Sequence, residues 1–128
     1  MVTKATKKLH GIPNVEIRVG SASKLPYASN TFDFVTCCTS LHHHPDTKRS
    51  ISEMSRVTKP GGTVLILDIF TTGILRQANY WFDNIMLQEG KTFVYSPQQM
   101  DNLFASAGLH QIHQETFAYF KLITIGKK

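Results

Sequence analysis

Lys59-Pro60-Gly61-Gly62-Thr63-Val64-Leu65-Ile66-Leu67-Asp68 reads as a tight turn feeding a buried strand. Proline presets φ at the first central position of a type II turn, and glycine accepts the positive φ of the second. The apolar run that follows extends to Ile69, broken only by Asp68. A continuous run of this kind belongs to a strand covered on both faces, the mark of a mainly parallel sheet.

Upstream, Asp46 can cap a helix in which Ile51, Met54 and Val57 share one face. Before it, Phe32 to Cys38 is a second strand, nearly all apolar or β-branched, and is expected to be buried on both faces. Ser21 to Asn30, with Pro26 inside it, is a loop. Val15, Ile17 and Val19 alternate with polar residues and predict a further strand. Thr3 to Leu9 reads as the end of a helix closed by Gly11 and Pro13. Downstream, Leu75, Ala78, Phe82 and Ile85 predict a helix over 73–88. Ser96-Pro97-Gln98-Gln99 is a helix start with Ser as cap, Pro at the first position and Gln99 able to complete a capping box. Met100, Leu103, Phe104 and Ala107 form its buried stripe, and Gly108 stops it. Strands near His110–Thr116 and Tyr119–Ile125 follow, joined closely enough to form an antiparallel hairpin. Strands alternating with helices predict an α/β, three-layer sandwich with a mixed sheet. Its spatial strand order is Phe32–Cys38, Thr63–Ile69, Tyr119–Ile125, His110–Thr116.

The 128 residues predict one domain, 1–128. No apolar run reaches the roughly 18 residues of a membrane span. The Lys-rich start lacks the apolar stretch of a secretory signal. The formal net charge is +5, with Lys4, Lys7, Lys8, Lys127 and Lys128 concentrated at the two ends. A solvated helix face and a frayed tail explain that charge better than nucleic acid does, because no run interleaves basic residues with aromatics. Cys37 and Cys38 are adjacent, so strand alternation sends their thiols to opposite faces. They read as reduced thiols in a cytoplasmic protein. The same geometry argues against a metal site built from them with His42, His43 and His44, and no metal is expected.

Four stretches together resemble the class I S-adenosylmethionine (SAM)-dependent methyltransferases. They are Gly20-Ser21-Ala22-Ser23-Lys24-Leu25-Pro26-Tyr27 with Phe32-Asp33-Phe34-Val35, then Leu41-His42-His43, then Lys59-Pro60-Gly61-Gly62. The group most similar is that of the small-molecule enzymes of ubiquinone and menaquinone biosynthesis. The tail from Phe93 through Ala107-Gly108-Leu109 resembles it too. The resemblance implies a Rossmann-like methyltransferase fold reduced to its third to seventh strands. Met1 to Ala5 would fall in the helix after the family's second strand, and the glycine-rich turn that opens the cofactor site is not among these residues. This implies a partial methyltransferase domain with weak or absent SAM binding on its own.

The resemblance also assigns a site. Gly20, Ser21, Ala22 and Leu25 would lie against the adenine, with Ser21 where the family usually has an acid. Cys38 and Thr39 would lie beside the methionine half, and His42 and His43 would face a small-molecule substrate as candidate general bases. Packing and helix entry compete with that role for both histidines. If Val15–Val19 does not close up beside it, Phe32–Cys38 becomes an apolar edge, which predicts a homodimer. The alternative to catalysis is a methyltransferase-like module that self-associates or binds a partner.

Overall fold

The computed structural model describes residues 2–70, 93–117 and 121–128. Its elements are α1 (Val2–Leu9), β1 (Phe32–Cys38), a 3-10 turn (Leu41–His43), α2 (Thr47–Val57), β2 (Thr58–Ile69), α3 (Pro97–Ser106), β3 (His110–Phe117) and β4 (Lys121–Lys127). The strands form one sheet in the order β1-β2-β4-β3. β1 and β2 are parallel, while β4 is antiparallel to both β2 and β3. This is the predicted spatial order, with the terminal hairpin in place. The helix expected over 73–88 and the first two positions of the strand expected from Tyr119 lie outside the described residues.

Local chemistry explains where these elements begin and end. The Asp46 carboxylate accepts from Arg49 N–H at 2.9 Å, satisfying one orphan donor of α2. Ser96 and Gln99 form the reciprocal capping box of α3, with Pro97 in the first turn. Gly61 has φ +78°, as the type II turn requires. That turn interrupts the parallel ladder: Phe32 pairs with Thr58 and Phe34 with Thr63, so residues 59–62 loop out between them.

The core lies on one face of the sheet. Val64 and Ile66 of β2 and Leu122 of β4 meet Ile51 and Met54 of α2 and Met100 and Phe104 of α3. Full burial of such side chains stabilises by about 1.5–3 kcal/mol each. Ser55 Oγ donates to Ala107 O at 2.8 Å and ties the two helices together. On the opposite face Leu65, Leu67, Ile123 and Ile125 are half-buried.

Three expectations fail. Residues 15–20 form no strand. Val15 and Val19 are 42% and 77% exposed, and alternation cannot hold a strand whose backbone groups find no ladder. Among the described residues β1 is therefore an edge, and it is not buried on both faces: Cys37 alone of its seven residues is buried, and Phe34 is 55% exposed. Nor is the tail frayed. Lys128 exchanges backbone hydrogen bonds with Gly61 and Gly62. Its ammonium donates to Asn30 Oδ1, Arg56 O and Thr58 O. It thereby places a cation at the C-terminus of α2, where the Arg56 carbonyl also accepts Asn30 N–H.

Candidate functional site

Because β1 and β2 are parallel, their C-terminal ends open on the same side of the sheet, where ligands bind in open α/β folds. Cys38 ends β1 with its side chain exposed, whereas Cys37 is buried, so the two thiols face apart as expected. Burial pushes the Cys37 thiol up from its ordinary pKa. Thr39 takes φ +49°, a conformation a β-branched residue adopts only under constraint. The constraint is visible: Thr39 N–H donates to Leu67 O at 2.7 Å, which turns the chain over the end of β2.

That turn delivers Leu41–His43. Leu41 is fully buried and anchors the 3-10 turn in the core. His42 is buried against Asp68 at the end of β2. Its Nδ1 lies 2.5 Å from Asp68 Oδ1, and its backbone N–H donates to Oδ2 at 3.1 Å. Oδ1 also accepts from Ile69 N–H at 2.7 Å. Phe93 N–H donates to His42 O at 2.9 Å. His43 is exposed, its ring tilted against His42 with centroids 4.0 Å apart. His44 is half-buried and its Nδ1 has no partner; burial holds its imidazole pKa below the ordinary value.

The Gly20–Leu25 segment is a tight turn. Lys24 N–H donates to Ser21 O at 3.0 Å, and the Ser21 and Ser23 hydroxyls are 2.9 Å apart. A side chain at Gly20 would place its Cβ 2.9 Å from Pro26 Cδ, so this glycine makes room for proline. α2 holds the segment through one charged stripe. Arg49 Nε donates to Ser23 O at 2.9 Å, and Glu53 Oε2 accepts Leu25 N–H at 2.8 Å. The Arg56 guanidinium donates to Leu25 O, Tyr27 O and Ser29 Oγ while pairing with Glu53. Arg56 holds the Glu53 carboxyl below the usual carboxylate range.

Sequence reasoning missed these contributors. The i, i+4, i+7 spacing of Arg49, Glu53 and Arg56 was the available signal for a functional helix face. Asp68 had a signal too, as the one carboxylate in an apolar strand. The structure brings Cys38, Thr39 and His42 together through Leu67 and Asp68. Gly20, Ser21, Ala22 and Leu25 are built separately, on α2, and no hydrogen bond links the two groups among the described residues.

A family profile for a methyltransferase domain matches residues 1–66. The chain belongs to the class I SAM-dependent methyltransferases. Among curated proteins it is similar to the demethylmenaquinone methyltransferase of Desulfitobacterium hafniense, with 32% identity over 140 aligned positions, covering 92% of this chain and 55% of the relative. It is 41% identical over 88 positions to that of Halalkalibacterium halodurans, covering 66% of this chain and 36% of the relative. Both of these relatives are demethylmenaquinone methyltransferases. The chain spans about half the length of the first of these relatives. In structure it is similar to the methyltransferase solved in complex with the Haloferax volcanii Trm112 methyltransferase activator. The TM-score is 0.83 at 19% identity, over 99% of this chain and 66% of that one. At that identity the likeness speaks for the fold alone.

The SAM that this family implies fits the described residues only in part. The Ala22 N–H, at the corner of the turn, has no hydrogen-bond partner among them and is suited to donate to an adenine ring. The Ser21 hydroxyl is engaged by Ser23. For the methionine carboxylate, the 128 residues contain no glycine-rich turn followed by a helix that would present backbone donors.

Proposed function

We propose that this chain is a partial methyltransferase domain. It carries the acceptor-facing side of methyl transfer from SAM to a small molecule, with a quinone-type ring as the acceptor class. The observation that carries the reading is the buried His42–Asp68 pair at the C-terminal ends of two parallel strands, in a chain whose relatives are demethylmenaquinone methyltransferases. When bound, SAM supplies an electrophilic methyl group, so the protein's task is largely alignment of the acceptor. Gly20, Ser21, Ala22 and Leu25 would hold the adenine, Cys38 and Thr39 would lie beside the methionine half, and His42 and His43 would face the acceptor. Without a carboxylate cradle, these 128 residues bind SAM weakly, no tighter than about 0.1 mM, or ~5.5 kcal/mol.

Calorimetry with SAM and S-adenosylhomocysteine, on protein of verified mass, tests this. Weak binding that Ala22→Trp abolishes supports the adenine site, and affinity unmoved by that substitution places the nucleoside elsewhere. Transfer of a labelled methyl group to a demethylated quinol at saturating SAM tests the acceptor class.

The exposed β1 edge favours a second reading, in which the domain self-associates as a homodimer and serves as a non-catalytic module. Stable self-association with no detectable SAM binding would establish it. Two free cysteines are consistent with a cytoplasmic location. Among the described residues no helix is long and apolar enough to cross a membrane.

A further inference from the structure

We infer that His42 is the group that takes the acceptor's proton during methyl transfer, and that Asp68 is the residue that positions it. This rests on the methyl-transfer reading above. Asp68 is 3% exposed, and an ionised carboxylate can only accept hydrogen bonds. It accepts from two backbone N–H groups, His42 N and Ile69 N, and faces His42 Nδ1. A carboxylate so placed requires the proton on Nδ1. The imidazole is thereby held in the tautomer whose lone pair is on Nε2.

The second nitrogen, Nε2, has no hydrogen-bond partner among the described residues, and solvent reaches 11% of the His42 side chain. The Asp68 contact at Nδ1 holds the ring. The His42 backbone is fixed on both sides, by Asp68 at the N–H and by Phe93 N–H at the carbonyl, and the His43 ring lies tilted against the His42 ring. His43 has no such carboxylate and is exposed, so nothing sets its tautomer among the described residues.

Methylation replaces a hydrogen of the acceptor by a methyl group. With a quinol ring as acceptor, a π pair of the electron-rich ring would form the new bond to the methyl carbon, the carbon–sulfur pair leaving on the sulfur as a neutral sulfide. The methylated ring carbon would then give its proton to Nε2, and the pair of that carbon–hydrogen bond would restore the aromatic ring. The imidazolium that results is paired with the Asp68 carboxylate until water takes the proton.

Long-range proton–nitrogen NMR on the intact chain reads the tautomer directly. The expected spectrum has His42 protonated at Nδ1 and bare at Nε2, with Asp68→Asn mixing the two forms. A wild-type spectrum showing the Nε2–H tautomer overturns the inference, as does an Asp68→Asn spectrum identical to wild type. If Asp68→Asn does not fold, the wild-type spectrum decides alone. In turnover, His42→Gln and Asp68→Asn lower kcat on the order of 10²-fold with KM little changed. Wild-type turnover with kcat unmoved in His42→Gln overturns this inference and leaves methyl transfer standing. No turnover by wild type at saturating SAM removes the methyl-transfer reading itself, and the acceptor-proton role with it.

Discussion

Thr39 is the residue under most constraint. A β-branched side chain at φ +49° costs on the order of 1–3 kcal/mol, and the bond to Leu67 O leaves the backbone no alternative. Glycine at this position removes the clash but adds about 0.5–1 kcal/mol of backbone entropy to be lost on folding. Thr39→Gly is therefore expected to stabilise by about 1 kcal/mol net, read as a higher urea midpoint at constant m. An unchanged or lower midpoint would mean the strain is not there.

His44 makes the opposite kind of contribution. Burial lowers its pKa from the ordinary 6.5, so the unfolded chain takes up the proton first. Stability present above pH 6.5 is then lost as the pH falls through the folded value. His44→Leu keeps the backbone bonds of this residue, removes the orphaned Nδ1, and should shrink the drop in urea midpoint between about pH 7.5 and 5.5. An equal drop in both proteins would assign the acid sensitivity to other groups.

At the scale of elements, α2 does more than fill the core. Its inner face buries Ile51, Met54 and Val57, and its charged stripe pins a loop that has no ladder of its own. Charge-assisted bonds from one guanidinium to three loop acceptors, with Glu53 fixing its plane, order residues 20–29 at little cost in side-chain freedom. Arg56→Met keeps the aliphatic stem and removes the fork. Amide exchange is expected to accelerate in residues 20–29 while the amides of β2 and β4 keep their protection. Uniform acceleration across the chain would instead show that Arg56 supports global stability.

For the whole molecule the decisive feature is the β1 edge. Phe34 is exposed, Val15 and Val19 nearby in sequence are uncovered, and Lys59 paired with Asp33 at 2.9 Å guards one end only. By contrast the β3 edge carries a bulge between His110 and His113, with Gln111 at φ +48°, a device that discourages edge pairing. Pairing of two chains through β1 would satisfy the open backbone groups and cover Phe34. Sedimentation at micromolar concentration is expected to show a dimer, and Phe34→Lys to shift it toward monomer. A soluble wild-type monomer would sink the dimer.

Much of this protein is legible in its sequence, because the signals are local. The capping box at Ser96, the cap at Asp46, the turn at Pro60-Gly61 and the apolar runs of β2 and β4 depend on neighbours within a few residues. The order of elements around them carries the family. Long-range contacts decided the rest. Val15 to Val19 alternates like a strand, but a strand exists only where another offers its backbone, and among the described residues none does. β1 has a central strand's composition and lies at an edge for the same reason. His42 and Asp68 are 26 residues apart, so a local reading sees an isolated histidine and an isolated acid. Only the parallel registration of β1 beside β2 puts them in contact, where burial makes the carboxylate choose the imidazole as its partner.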